Sequence, residues 1–243
     1  MSEGELLIVA VAAVVTAGIT AVAGAGGGVV LLVVILQFVD PLVAVPAHGV
    51  VQLVSNGTRA ATLRDKADTA LLRWYLPLLL PGTIVGYVIA DAIPRDGGRA
   101  IIGGFALLAV WWPAATAWLS PTGGGHRRLT LVGALNGLLN PTIGATGPLI
   151  SPVFRTIAKD HVSFVATFAV VQVCNHIAKI AVFGVAGFAF REHLPLILVA
   201  SIGVFAGTRL GARYLHRLDP VMLGRLFQVV VTVGALRLLL GVL

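Results

Sequence analysis

Slid against itself by 120 residues, the chain matches without a gap: Gly24 meets Gly144, Ala25 meets Ala145, Gly27 meets Gly147 and Asp40 meets Asp160. Further along, Val51-Gln52 meets Val171-Gln172, and Arg59 meets Lys179. Each half is an apolar stretch broken at glycines, followed by a segment with a glutamine and a cation. Such doubling is the sequence mark of a secondary transporter.

The bulk numbers place that repeat in a membrane. Of 243 residues, 58% are hydrophobic and 11% charged, and the mean hydropathy is +0.97. A soluble domain needs roughly 25% charged residues to meet water. A spanning helix needs about 20 apolar residues, and such runs follow one another here. Only helices and closed barrels satisfy their backbone in lipid. The runs do not alternate as barrel strands do, so the expected fold is an all-α polytopic membrane protein. The net charge of +7 comes from bases scattered singly between apolar runs. No basic stripe or aromatic platform points to nucleic acid. The single cysteine, Cys174, gives neither a disulfide framework nor a four-cysteine metal site. The histidines and acids show no ligand spacing either, so no metal or cofactor is expected. Ser2-Glu3-Gly4-Glu5 is acidic where a secretory signal is basic, and the first apolar run is expected to be retained.

The apolar runs cover 6–39, 42–63, 70–91, 100–119, 129–157, 162–183, 194–212 and 221–243. Six have ordinary spanning length. Run 6–39 is too long for one helix and too short for two full crossings, and Gly24-Ala25-Gly26-Gly27-Gly28 breaks it. Run 129–157 is broken in the matching place by Pro141 to Pro148. The limbs after the breaks, 29–39 and 149–157, hold about 10 residues and cross about half a bilayer at about 1.5 Å each.

Loop charges choose the topology. With the broken runs as single crossings, the bases divide evenly between the two faces. With both runs as re-entrant hairpins, Arg64, Lys66, Arg73, Arg127, Arg128, Arg155, Lys159, Arg213 and Arg217 share one face. Only Arg95, Arg99 and Arg191 then lie opposite. Positive loops mark the cytoplasmic face, so the hairpin arrangement is expected, with both termini outside. Three full crossings per half make the halves, 1–120 and 121–243, inverted repeats within one membrane domain. Ser120-Pro121-Thr122-Gly123-Gly124-Gly125 joins them.

In run 42–63, His48, Gln52, Ser55, Asn56 and Arg59 fall on one helical face. Run 162–183 carries Ser163, Thr167, Gln172, Asn175, His176 and Lys179. Polar stripes of this kind face a protein interior or a wet cavity. The hydroxyls can serve simply to hold helices together, while Gln52 and Gln172, both at mid-helix, suit a solute path. Arg59 and Lys179 read either as bases snorkelling to headgroups or as cationic gates, one per face. At the breaks, Gly24, Gly26, Gly27 and Gly28 with Gly144, Thr146 and Gly147 precede half-helices. Their free N–H groups would bind an anion without a charged side chain. The alternative is that these glycines only allow tight packing or a kink. Gly82-x-x-x-Gly86 and Gly203-x-x-x-Gly207-x-x-x-Gly211 are expected to be helix-packing seams. Trp74, Trp111, Trp112 and Trp118 are expected as interface anchors. No carboxylate falls mid-run, which suits an anionic solute better than a cation. No nucleophile–base pair shares one depth, so no enzyme is expected. A passive anion channel, or an importer of a related organic anion, stays open as the alternative to an exporter.

The Gly24–Gly28 break, the His48…Gln52…Ser55-Asn56…Arg59 helix and the echo around Gly144 and Gln172 resemble the sulfite exporter TauE/SafE family, also called TSUP. The resemblance covers essentially the whole length. It implies an inner-membrane transporter of small sulfur-containing anions such as sulfite, sulfoacetate or other organosulfonates. Membrane lipids would surround it, and a homodimer is an allowed assembly. The second break departs from a plain glycine cluster, with Thr146 opposite Gly26 and Pro148 opposite Gly28.

The hairpin topology is tested by labelling single cysteines placed at Lys66 and Lys159. Both should react from the cytoplasmic face, and tags on the two termini should react from the other. Lys66 and Lys159 on opposite faces would exclude it.

Overall fold

In the computed structural model, residues 1–112, 127–214 and 220–241 are described. The glycine-rich joint at 120–125, together with Trp118 and Arg217, lies outside the described residues. The described residues form helices and no strands.

The first break separates α1 (Glu3–Ala23) from α2 (Gly27–Ile35), and α3 (Pro41–Thr62) follows. Two short 3-10 turns lead into α4 (Leu72–Tyr75), α5 (Leu79–Ala92) and α6 (Arg95–Trp111). The second half repeats the order with α7 (Arg127–Ile143), α8 (Gly147–Ile157), α9 (His161–Val185), α10 (Leu194–Tyr214) and α11 (Pro220–Leu240). Asp40 and Asp160 stand at the N-caps of α3 and α9, the two helices that carry the polar stripes.

At each break the chain folds back. A Cβ on Gly27 would collide with the Thr16 carbonyl, about two turns before the end of α1. The Thr146 hydroxyl donates to Asn136 Oδ1 on α7 in the same way. The turns need glycine: Gly24 (φ 84°), Gly26 (φ 107°) and Gly144 (φ 79°) occupy the left-handed region, where a side chain is strained. The limbs are unequal. α1 has 21 residues and is long and apolar enough to cross a membrane by itself, whereas α2 has nine. The expectation that run 6–39 falls short of two crossings therefore holds only because its second limb is short.

Alongside α1, His161–Val185 and Phe190–Gly211 are long and apolar enough to span. Run 70–91, expected as one helix, is two: its parts bend by 55° at the break between Tyr75 and Leu79. α3 has 22 residues, but its polar stripe lowers its hydropathy. The stripe faces inward: His48, Gln52, Ser55, Asn56 and Arg59 are all buried, as are Thr167, Gln172, Asn175, His176 and Lys179. Trp111 and Trp112 are exposed, as interface anchors would be.

Packing fixes the helix directions. α3 and α9 cross at the centre and run oppositely, since Gly49 abuts Lys179 while Gly24, which Arg59 holds, abuts Val165. Gly203, Gly207 and Gly211 meet Ala13, Val14 and Gly18 in that order, so α10 runs parallel to α1. Gly82 and Gly86 meet Ala134 and Leu138 in order, so α5 runs parallel to α7. Each hairpin's first limb thus packs on a helix from the other half, through the seams expected from sequence. Asp40 binds Arg95 and Arg99 at 3.0 and 3.3 Å, so α3 and α6 start at one face. On the other face, the Ser163 hydroxyl donates to the Lys66 carbonyl at 3.2 Å. Thr167 Oγ1 accepts from the Asp68 amide at 2.9 Å. Lys66 and Lys159 line one cavity of about 500 Å3 there.

The seams give a direct test. A Cβ on Gly207 would overlap the Val14 carbonyl, whereas one on Gly57 would meet nothing within 4 Å. Gly207→Val should lose about 1–3 kcal/mol to overpacking, read as a lower unfolding temperature in detergent. Gly57→Ala should unfold at or above the parental temperature.

Candidate functional site: a pocket between two half-helix tips

The two breaks converge beside the α3–α9 crossing. Gly24, Gly26 and Gly28 from the first break and Gly147 from the second line one pocket with His48, Gln52, Asn56 and Arg59 of α3. Gln172 and His176 of α9 complete the polar wall. The two glutamines stand against the half-helix tips. A Cβ on Gly28 would lie 3.3 Å from Gln52 Nε2, and one on Gly147 would lie 3.6 Å from Gln172 Nε2. His48 Nε2 donates to the Gly28 carbonyl at 2.8 Å. Its ring meets that of His176 edge-on, with centroids 6.4 Å apart.

The wall holds polar atoms without protein partners among the described residues. His48 Nδ1, His176 Nδ1, Gln172 Oε1 and Arg59 Nε are buried and unbonded. Buried polar atoms normally find partners, and four orphans around one pocket suit a polar ligand. The pocket holds about 30 Å3, room for little more than one or two waters. It must widen to admit a larger anion.

Five of the expected residues stand behind this wall. Gly27 packs on Thr16 and Thr20. Thr146 bonds Asn136, whose amide donates to the Tyr75 hydroxyl. Asn175 is buried with neither side-chain polar atom bonded. Gly144 forms the second turn itself, and Lys179 of α9 binds its carbonyl.

Arg59 and Lys179 do not reach headgroups. They are 5% and 0% exposed and turn inward onto the breaks. Arg59 Nη1 donates to the carbonyls of Thr20 and Gly24 at 3.0 Å each, and Nη2 to Asn56 Oδ1. Lys179 Nζ donates to the Gly144 carbonyl at 2.9 Å and to Asn140 Oδ1 at 3.2 Å. These contacts repeat at the same 120-residue offset. Each cation caps the C-terminal end of its hairpin's first limb, where carbonyls lack partners and the helix dipole is negative. The functional and snorkelling readings of sequence both missed this role.

Sequence reasoning also missed Thr20, Ala25, Val29, Ala145, Pro148 and Phe168, which line the same pocket. Phe168 and Pro148 were within reach, being the repeat counterparts of His48 and Gly28. Thr20, four residues before Gly24, carried no polar pattern to mark it.

Fold and site together define a multi-pass helical membrane protein of the transport class. The family model described as sulfite exporter TauE/SafE matches residues 8–238, and the chain belongs to that family. No curated protein and no solved structure matches it.

Removing a cap should destabilise the fold. Lys179→Met should cost about 1–3 kcal/mol, because it strands the buried Gly144 carbonyl, and Lys179→Arg should recover most of that. Thermal unfolding of the purified protein reads both, and a parental unfolding temperature for Lys179→Met would remove the capping role.

Proposed function

We propose that the protein is a secondary transporter, working as an exporter of sulfite or a small organosulfonate across the inner membrane. The observation that carries this reading is the pairing of two half-helix N-termini with Gln52 and Gln172 around one pocket. Such tips present free N–H groups and the positive end of the helix dipole, each worth up to about 2 kcal/mol to a buried anion. Carbonyls would repel the anion, and those at each break are held by Arg59 or Lys179. No Asp or Glu is among the buried residues described, which suits an anion and disfavours a cation.

Alternating access is the mechanism we infer, with 1–120 and 121–243 as inverted halves. The helix directions support this. α1 and α3 run with α6 and α10, while their counterparts α7, α9 and α11 run with α5. Every helix then opposes its partner 120 residues away, as inverted topology requires. Lys66 and Lys159 at one cavity also suit re-entrant hairpins, since single crossings would put them on opposite faces. The alternative, a passive channel, is disfavoured by the small volume of the central pocket, about 30 Å3, which suits an occluded carrier better than a continuous pore. In this reading one half moves against the other, and the anion exchanges its water for backbone N–H groups and the two amides.

Sulfite efflux from proteoliposomes tests the assignment. Each of Gln52→Ala and Gln172→Ala should raise KM about tenfold or more, because a hydrogen bond to a charged group contributes about 1.5–3 kcal/mol. Wild-type kinetics in both folded variants would take the glutamines out of the path.

A further inference from the structure

We propose that a second cavity, between the ends of α1, α3 and α10 and the start of α9, is the inner half of the transport route. Arg59 separates it from the central pocket. This rests on the transporter reading and adds the route. The cavity holds about 280 Å3, against about 30 Å3 for the central pocket, which is ample for a sulfonate group. Arg59 lines both. Its guanidinium bonds only neutral oxygens, and its Nε is unbonded, so its charge is available to an anion on either side. The other ionisable lining residues, His161 and Arg209, are also bases, and none is acidic. Thr58, Thr62 and Thr208 add hydroxyls, and Ala21, Val22, Leu63, Val162 and Val165 complete the wall. The mouth is on the basic face, since Leu63 precedes Arg64 and His161 follows Asp160. The larger cavity on that face shares no lining residue with the central pocket, and its Asp65 and Asp68 offset its Lys66 and Lys159, so it attracts an anion less than the all-basic cavity does.

The repeat shows what closes the other side. Arg59 corresponds to Lys179, which is sealed, and Leu63 corresponds to Phe183, which is buried. Phe183 packs edge-on against Tyr87 and Phe188, with centroids 5.0 and 6.4 Å apart. Tyr87 stands where the second half has Gly207. Aromatic rings therefore fill the position that is hollow on the basic face. The structure is open inward up to Arg59 and shut outward at Phe183.

Accessibility tests the route. In a Cys174→Ser background, Thr62→Cys and Val162→Cys proteins are reconstituted in oriented vesicles. A membrane-impermeant methanethiosulfonate that carries a sulfonate is then added to either face. From the basic face it should modify both cysteines, with an unreactive organosulfonate such as methanesulfonate slowing the reaction, and organosulfonate flux should fall at least about tenfold as the constriction is blocked. From the other face it should do neither. Modification without loss of flux, no modification from the basic face, or modification from the other face would each overturn the route. Absence of sulfite and sulfonate flux in the unaltered protein would instead overturn the transporter reading. Thr62→Trp in the otherwise unaltered chain, checked for folding by gel filtration, is a second arm. Wild-type flux in that folded variant also counts against the route.

Discussion

A helix that stops inside a membrane leaves carbonyls bare at one end of the break and N–H groups bare at the other, and lipid offers neither a partner. Arg59 and Lys179 satisfy the carbonyl end of each break, through Thr20 and Gly24 in one half and Gly144 in the other. The rest of the arrangement depends on that pairing. With the negative end of each first limb masked, the positive end of each second limb is free to face the pocket. The same two cations also tie the hairpins to the central pair, because Arg59 belongs to α3 and Lys179 to α9. Tips, glutamines and caps are therefore held as one unit.

Packing between the halves follows from the same geometry. Neither hairpin is enclosed by its own half, and each leans its first limb along a glycine seam of the other. Glycine at Gly207 and Gly86 lets two backbones approach to a distance that any side chain would prevent. The central α3–α9 contact differs in kind, being built from buried amides, imidazoles and cations.

The two halves are related but not equivalent, and the differences fall at the breaks. The first turn has two glycines in the left-handed region and no side-chain latch. The second has one, with Thr146, Asn136 and Tyr75 joined in a hydrogen-bonded chain. Tyr75 closes the segment before the 55° bend, so the latch links the second break to that bend in the first half. His48 corresponds to Phe168 in the repeat, and Asn56 corresponds to His176. The pocket thus has a polar scaffold common to both halves and a lining specific to each.

The sequence by itself determined the membrane class, the two broken segments, the inward-facing stripes and the glycine seams. Each of these is local, because composition, the 3.6-residue period and glycine spacing act within one segment. It also brought ten of the fifteen candidate residues to the pocket wall, since repeat and periodicity together say which face a residue takes. Only the tertiary structure decided what Arg59 and Lys179 do, because whether a long cation snorkels outward or turns inward depends on a carbonyl some 35 residues away in sequence. It likewise decided that α1 is full-length, that the segment around Tyr75 is bent, and that Thr20 and Phe168 reach the pocket. Those outcomes are set by how separate helices meet, and no single segment encodes that meeting.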